Sequence, residues 1–289
     1  MPTSNDFREF LISRRANITP EQAGLPAYGT NRRVAGLRRE EVAILAGISV
    51  EYYTRLERGN ASGVSEDVLE GIARALQLDE AEHAHLFDLV RATSTTRPAR
   101  RRPSQERVRP TVQRILDAMT DLPAYVRNGR LDILAANRLG TALYSDVFTD
   151  PVRPANMARF TFLNPSAAEF FDDWETVAHD AVAILRAEAG RDPYDRRLTD
   201  LIGELSTRSE AFRVQWAAHN VKFHRTGTKR LHHPLVGDLT LTYEAFELPA
   251  DAGQRINVYT AEPNSPSHEA LSLLASWTST PEPAVDERG

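Results

Sequence analysis

Apolar positions in the first ninety residues recur at helical spacing, with one interruption. The segments "REEVAILA" and "VEYYTRLE" each place apolar side chains three to four residues apart, and Gly47, Ile48 and Ser49 separate them. Such spacing predicts amphipathic helices. Glycine readily takes the left-handed conformation that ends a helix, and serine accepts a hydrogen bond from a free N–H at the start of the next one. The pattern therefore predicts two short helices, 39–46 and 50–58, joined by a sharp turn.

The two helices have an inward face of apolar or small side chains, which consists of Val42, Ala43, Ala46, Ile48, Tyr53 and Leu56. This arrangement is typical of a helix-turn-helix, and a plain helical hairpin is the alternative. Helical spacing also runs through "NDFREFLISRR", "SEDVLEGIARALQL" and "DEAEHAHLFDLVRA", the last capped by Asp79. We therefore predict an all-α domain of five helices over residues 1–95.

The pattern changes after residue 110. A helix around Leu116 precedes "PAYVRNGRLDILAAN", which is predicted to form two strands joined across Asn128-Gly129. A helix after Asn137 and long amphipathic helices follow. Alternation then returns in "TKRLHHPL", "DLTLTYEAFEL" and "QRINVYTAE", and Ser267 is predicted to cap a closing helix. The fold class is thus α+β with two domains, the second over residues 111–280, and with a disordered tail over 281–289.

Charge is distributed unevenly along the 289 residues. The net charge is −5, but residues 1–110 hold 17 basic against 15 acidic residues. The segment "RATSTTRPARRRPSQERVRP" carries seven arginines and one glutamate and has no apolar face to bury. We interpret residues 96–110 as a basic linker. Its arginines either add phosphate contacts or form a solvated tether; those concerned are Arg97, Arg100, Arg101 and Arg102.

Several classes of protein lack support in the sequence. The chain has no cysteine, no apolar run of 18 residues and no signal-peptide pattern, which predicts a cytoplasmic protein without a membrane partner. The best metal-ligand candidates are four histidines without an acidic residue at a telling distance: His219, His224, His232 and His233. No nucleotide-binding or hydrolase motif is present. We predict no metal, no cofactor and no enzymatic activity.

The wording "GLRREEVAILAGISVEYYTRLERG" resembles the MmyB-like subfamily of Cro/C1-type (XRE) bacterial transcription regulators. The similarity continues through "FLNPSAAEFFDDWETVAHDAVAILRAEAGRDPYDRRLTDLIGELSTRSEAFRVQWAAHNV" and "GTKRLHHPLVGDLTLTYEAFELP", so it covers nearly the whole chain. Ala136 departs from the tryptophan that is usual in the family. The resemblance implies a Cro/C1-type DNA-binding domain followed by a PAS-like ligand-binding domain with an enlarged helical insert.

The same resemblance implies that the second helix of the motif lies in the major groove of double-stranded DNA, with Val50, Glu51 and Arg55 near base edges. Arg39 corresponds to a family position that meets DNA. A surface ion pair between Glu51 and Arg55 is the alternative role for that pair, and solvated arginines are the alternative for the preceding loop. The candidate DNA-binding residues are Arg32, Arg33, Arg38, Arg39, Ser49, Val50, Glu51, Tyr52, Thr54, Arg55 and Arg58.

For the second domain, the resemblance implies a pocket able to hold acyl chains, and hence a small amphiphilic, fatty-acid-like ligand. Aromatic residues supply possible walls, although plain core is the alternative for each. A buried carboxylate head needs a cationic or hydroxyl partner. The candidate ligand-binding residues are Arg159, Phe162, Trp174, Trp216, Lys229, Arg230, His232 and Tyr243.

Three hypotheses follow. The first is a homodimeric regulator that binds an operator and responds to a ligand. The second is a DNA-binding protein whose C-terminal domain only dimerises or docks a partner. The third is an enzyme with a DNA-binding appendage. Determining whether the purified protein carries a small molecule, and which one, distinguishes the three hypotheses.

Overall fold

Short, capped helices build the N-terminal part of the chain. The computed structural model describes residues 2–25, 34–94, 107–218 and 226–279. The helices before the linker are α1 (Pro2–Asn17), α2 (Arg39–Ala46), α3 (Val50–Glu57), α4 (Glu66–Ala75) and α5 (Glu80–Ser94). Their positions agree with the helical spacing of the sequence.

Local chemistry explains where these helices begin. Ser49 and Ser65 each accept a hydrogen bond on Oγ, from the N–H of Tyr52 and of Val68, at the starts of α3 and α4. Asp79 likewise accepts from the N–H of Glu82, 2.8 Å away. Each cap satisfies one of the backbone donors that a helix leaves open at its start.

The inward faces of these helices form one apolar core. Burying a large apolar side chain stabilises a fold by about 1.5 to 3 kcal/mol, so this core dominates the stability of the bundle. Its largest buried members are Phe7, Phe10, Leu11, Leu37, Val42, Tyr53, Leu56, Leu69, Ile72, Leu76, Leu86 and Leu89.

The second part of the chain alternates strands with helices. Helix α6 (Pro110–Ala118) precedes strands β1 (Ala124–Arg127) and β2 (Ile133–Ala136). The helices that follow are α7 (Arg138–Leu143), a 3-10 turn (Ser145–Thr149), α8 (Met157–Leu163), α9 (Ala167–Phe170), α10 (Trp174–Arg191), α11 (Arg196–Arg208) and α12 (Glu210–Ala217). Strands β3 (Thr226–His233), β4 (Gly237–Glu247) and β5 (Arg255–Thr260) and helix α13 (Pro266–Ser279) complete the order.

The five strands form one antiparallel sheet in the order β2-β1-β5-β4-β3. One face of the sheet carries Val126, Ile256 and Val258, which pack with Val112 and Leu116 of α6. Side chains alternate between faces along a strand, and residues directly opposite each other share a face. The other face therefore carries the tyrosines that neighbour these aliphatic residues in sequence, and it is the face on which a site can form.

Two local features differ from the sequence-based expectation. In the β1–β2 connection, Asn128 Oδ1 accepts from the N–H groups of Arg130 and Asp132, both at 3.0 Å, and the positive φ falls at Leu131. The connection is therefore longer than a tight Asn-Gly turn. At α13, Ser265 Oγ accepts from the N–H of His268, whereas Ser267 Oγ accepts from Thr240 of β4.

The described residues form two compact units. The first unit combines α1 to α5 with the chain from Val182 through α12. The second unit comprises the chain from α6 to Ala181 together with the last three strands and α13. The boundary between the units thus falls inside helix α10.

Some expectations concern parts of the chain outside the described residues: Arg32 and Arg33, the four linker arginines, His219, His224 and the tail. Within the described ranges, no helix is both long enough and apolar enough to cross a membrane.

Candidate nucleic-acid interface and ligand cavity

Helix α3 is held so that one side is buried and the other is open. Gly47 ends α2 with φ of 69°, a conformation that glycine adopts without strain, and Ser49 starts α3 two residues later. Tyr53 and Leu56 are fully buried in the bundle core. The opposite side of α3 is consequently the side that can meet a partner.

The open side of α3 carries charge and one aromatic ring. Glu51, Arg55 and Arg58 are exposed, while Val50, Tyr52 and Thr54 are partly exposed. The guanidinium of Arg55 stacks over the Tyr52 ring, 4.5 Å from its centroid. Within the described part of the chain, no ion pair joins Arg55 to Glu51. Cation–π stacking therefore orders Arg55 while its side chain remains exposed.

A buried carboxylate links α3 to the two helices before it. Glu57 is 2% exposed and forms ion pairs with Arg15 of α1 and with Arg39 of α2, the latter with Nε 2.5 Å from Oε2. Burial pushes the pKa of Glu57 up, but the hydrogen bonds from Arg15 and Arg39 outweigh burial and leave that pKa below its ordinary value. Glu57 is therefore ionised and structural. Arg14, the neighbour of Arg15 on α1, pairs instead with Glu82 of α5.

Arg38 and Arg39 lie at the start of α2. The Arg39 side chain is half exposed although it pairs with Glu57, and that hydrogen bond raises its pKa. Arg38 is exposed and donates its backbone N–H to Glu41, 2.6 Å away. The Arg39 guanidinium is thus held by Glu57 while half of its side chain stays exposed, and Arg38 presents an exposed side chain.

In the second unit, aromatic rings cover the face of the sheet that carries the tyrosines, opposite the face that packs on α6. Tyr125 packs edge-on against Tyr144 of the segment after α7, at 5.6 Å between centroids, and lies beside Tyr259 with the hydroxyl oxygens 3.3 Å apart. Phe170 and Phe171 meet edge-to-face at 5.0 Å. Such contacts add about 0.5 to 1.5 kcal/mol per pair beyond the area that they bury. Much of this face is therefore filled by the protein's own rings.

A cavity of about 280 Å³ opens beside this aromatic cluster. Strands β3 and β4 form one wall, and the start of α10 forms the other. The lining mixes both signs of charge with hydroxyl and apolar groups: Asp173, Thr176, Val177, Asp180, Thr228, Lys229, Arg230 and Tyr243.

Lys229 is the distinctive group of this cavity. Its ammonium lies 5.6 Å from the centroids of both the Phe171 and the Tyr243 rings. Burial lowers the pKa of Lys229 to about 8, and the positive charge of Arg127 acts in the same direction against the opposing influence of Asp180. Burial also raises the pKa of Tyr243, which keeps its hydroxyl protonated. The cavity thus offers a cation whose charge is poorly solvated, and such a cation favours an anionic partner.

Comparison with known families identifies both parts of the chain. A family model described as "MmyB-like transcription regulator ligand binding domain" matches residues 108–274, more than half of the chain. The chain belongs to the MmyB-like transcription regulator family. A second model, described as "Helix-turn-helix domain", matches residues 30–86 of this MmyB-like regulator. The resemblance seen in the sequence is thereby confirmed. No curated protein matches the chain.

Three of the eight predicted ligand-binding residues of this MmyB-like regulator line the cavity: Lys229, Arg230 and Tyr243. Arg230 lies at its edge and pairs with Asp172 at 2.6 Å. His232 is exposed and pairs with Asp238. Alternation along β3 places Lys229 on one face of the strand, opposite Leu241 of β4, and Arg230 and His232 on the other face.

The other four predicted residues lie away from the cavity lining. Trp174 packs edge-on against Phe162 and donates its indole N–H to the Thr161 carbonyl, 2.9 Å away. Arg159 is partly buried on α8. Trp216 belongs to the first unit, where it stacks on Phe212.

Sequence reasoning missed the α10 side of the cavity. Asp173, Thr176, Val177 and Asp180 recur at helical spacing, which was a usable signal for one shared face. Sequence reasoning also missed Arg127, a buried cationic side chain at the end of β1. As for metals, the described residues contain no group of three or more histidine, aspartate or glutamate side chains that could hold an ion.

Proposed function

We propose that this protein is a homodimeric, sequence-specific DNA-binding regulator whose second domain senses a small amphiphile with an anionic head. The observation that carries the proposal is one chain with two sites. The chain contains a helix-turn-helix, in which α3 exposes Arg55. It also contains a ligand-binding domain, in which the cavity holds the cation of Lys229. The strand order supports the PAS-like class that the resemblance implies.

The open side of α3 suits direct reading of bases. An arginine can donate two hydrogen bonds to guanine, a glutamate can accept from the cytosine amine, and a valine can contact a thymine methyl group. We propose that Arg38, Arg39 and Arg58, which are exposed, contact phosphates around these groups. Ser49, Tyr52 and Thr54 complete the proposed interface. Arg32 and Arg33 remain sequence-based candidates.

Dimerisation follows from the way such motifs read DNA. One short helix covers only a few base pairs, and helix-turn-helix dimers bind two half-sites about one helical turn apart or a multiple of it. We therefore propose an operator with two-fold symmetry.

Replacing Arg55 with alanine tests the DNA half of the proposal. Loss of a bidentate base contact should weaken operator binding by about 1 to 3 kcal/mol and relax base preference at one position per half-site. Quantitative footprinting on an operator selected from random-sequence DNA measures both effects. The control is Arg74→Ala, an exposed arginine on α4. Equal footprints for the two variants would remove Arg55 from the interface.

The cavity size limits the ligand. Sites for drug-sized molecules range from about 300 to 1,000 Å³, so a cavity of about 280 Å³ falls just below that range. The aromatic cluster beside it also favours a short or medium acyl chain. Arg159, Phe162, Trp174, Trp216 and His232 are weaker candidates for this site than Lys229 and Tyr243, because they do not line the cavity.

Titration of the stripped protein with carboxylates of graded chain length tests the sensing half. We expect saturable binding of a medium-chain carboxylate such as decanoate, weaker binding of the matching alcohol, and a change in operator affinity on saturation. Isothermal titration calorimetry and operator binding measure these quantities. Absence of saturable uptake at every chain length would favour a C-terminal domain that only dimerises or docks a partner.

A further inference from the structure

Helices that belong to the ligand-binding domain by sequence pack with the DNA-binding helices. The matched ligand-binding segment includes residues 182–218, yet these residues share the first compact unit with α1 to α5. The contact involves the last turns of α10 and the end of α12, against α1 and α5.

One tight point of this contact is at Gly190, near the end of α10. A Cβ atom at this position would lie 2.5 Å from two ring atoms of His85 on α5. His85 is only 4% exposed and packs edge-on against Phe10 of α1, at 5.2 Å between centroids. A close-packed ring has little room to move away. The contact therefore requires glycine at residue 190.

A buried arginine lies one turn earlier on the same side of α10. Arg186 is 4% exposed, its guanidinium stacks 4.0 Å from the centroid of the Trp216 ring, and it donates to the Trp216 carbonyl. Asp6 and Glu9 of α1 provide the opposing negative charge. Removing either side would leave charge in a poorly solvated place, so this contact is strongly specified.

A second arginine links the two helix sets from the other direction. Arg14 of α1 pairs with Glu82 of α5 and donates to the carbonyl of Ala218, 3.4 Å away, just after α12. The guanidinium groups of Arg14 on α1 and Arg186 on α10 therefore hold α1, α5, α10 and α12 together. We name this set of contacts the docking surface and define it by Asp6, Arg14, His85, Arg186, Gly190 and Trp216.

Helix α10 also contributes to the cavity. Thr176, Val177 and Asp180 in its first half line the ligand cavity, and Arg186 and Gly190 in its second half form the docking surface. A helix is a stiff element, so a displacement of the first half of α10 should also displace its second half. From these contacts we infer that α10 transmits cavity occupancy to the DNA-binding helices through the docking surface. The inference rests on the proposed function, because it requires a ligand effect on operator affinity.

A pair of glycine variants in the full-length protein tests this inference. Gly190→Leu places a side chain where His85 lies, whereas Gly203→Leu, on α11, adds the same side chain where nothing lies within 4 Å of the new Cβ. Leucine is a good helix former, so both helices should persist. Decanoate serves as the probe, with the operator selected for the wild-type protein. Amide hydrogen exchange in α1 and α5 and operator affinity with and without decanoate are measured.

We expect Gly190→Leu to speed amide exchange in α1 and α5 at least tenfold and to reduce the decanoate effect on operator affinity to less than twofold. Decanoate affinity itself should stay within threefold of wild type. Gly203→Leu should match wild type in all three measurements. If Gly190→Leu does not fold, Arg186→Met takes its place, since it keeps an unbranched side chain and removes the guanidinium together with its hydrogen bond to the Trp216 carbonyl.

The inference is overturned if amide exchange in α1 and α5 of Gly190→Leu proceeds at the wild-type rate. It is also overturned if that exchange is faster but decanoate changes operator affinity as much as in the wild type. Both outcomes leave the proposed function intact. A wild-type protein that binds decanoate without any change in operator affinity overturns both. If the wild type binds neither decanoate nor a carboxylate of any other chain length, the sensing proposal and this inference both fail, and the exchange rates report only on the docking surface.

Discussion

Replacing Glu57 with glutamine is expected to lower the free energy of unfolding by about 3 kcal/mol. Breaking a buried ion pair by removing one partner costs about 3 to 5 kcal/mol, and the half-exposed Arg39 places this case at the lower end. Glu57 also joins α1, α2 and α3, so its loss should loosen the base of the proposed DNA-reading helix. Urea-induced unfolding measures the change.

The matched control is Glu51→Gln, which removes the same charge from the exposed side of the same helix. Its effect on stability should be within about 0.5 kcal/mol. Equal effects for the two variants would show that the Glu57 ion pairs do not stabilise the bundle.

The Glu57 effect should also depend on pH. Because the folded-state pKa of Glu57 lies below its ordinary value, the contribution is fully present above the unfolded-state pKa and is lost as pH falls through the folded-state pKa. The stability difference between wild type and Glu57→Gln should therefore shrink in acid below about pH 4.5. A difference that stays constant from neutral pH into that range would contradict the assignment of an ionised Glu57.

Replacing Lys229 with methionine should weaken decanoate binding by roughly tenfold to a hundredfold. Hydrogen bonds to charged groups contribute about 1.5 to 3 kcal/mol, and the Lys229 ammonium is the inward cation of β3 in the cavity. Methionine keeps the unbranched chain against Phe171 and Tyr243 and removes the charge. Isothermal titration calorimetry provides the affinities.

Arg114→Met is the charge-matched control, since Arg114 is exposed on α6 and does not line the cavity. It should leave decanoate affinity unchanged. If Lys229→Met and Arg114→Met bind decanoate equally well, the head group is held elsewhere in the domain.

Decanoate affinity should fall as pH rises above about 8. The free protein loses the Lys229 proton near its pKa of about 8, whereas a bound carboxylate favours the ammonium form and raises that pKa. Binding then requires proton uptake, and affinity decreases by up to about tenfold per pH unit. Lys229→Met should show no such decrease. A flat wild-type profile across this range would exclude Lys229 as the partner of the carboxylate.

The helix-turn-helix was predictable because its signals are local. Gly47 ends one helix and Ser49 starts the next through contacts within three residues, and the apolar spacing around Tyr53 and Leu56 states which side is buried. The second domain was accessible for a similar reason, since alternation in β4 and helical spacing in α10 are properties of short segments. The family resemblance joined these segments into one architecture.

Some local signals were insufficient even at short range. The Asn128-Gly129 pair favours a tight turn, but hydrogen bonds from buried Asn128 to the backbone of Arg130 and Asp132 select a longer loop. Ser265 and Ser267 are equally plausible caps in the sequence. A tertiary contact decides between them, because the Ser267 hydroxyl oxygen accepts a hydrogen bond from the backbone N–H of Thr240 in β4.

The sequence by itself determined which segments are helices and strands, which side of each is apolar, and that the chain resembles a two-domain regulator. The tertiary structure decided which of these sides meet. Lys229 and Trp216 were both predicted ligand-binding residues, but Lys229 shares a cavity with Thr176 and Asp180, whereas Trp216 packs under Arg186 instead. The physical reason is that periodicity reports how much of a face must be covered, whereas the partner that covers it depends on contacts between residues far apart in the chain.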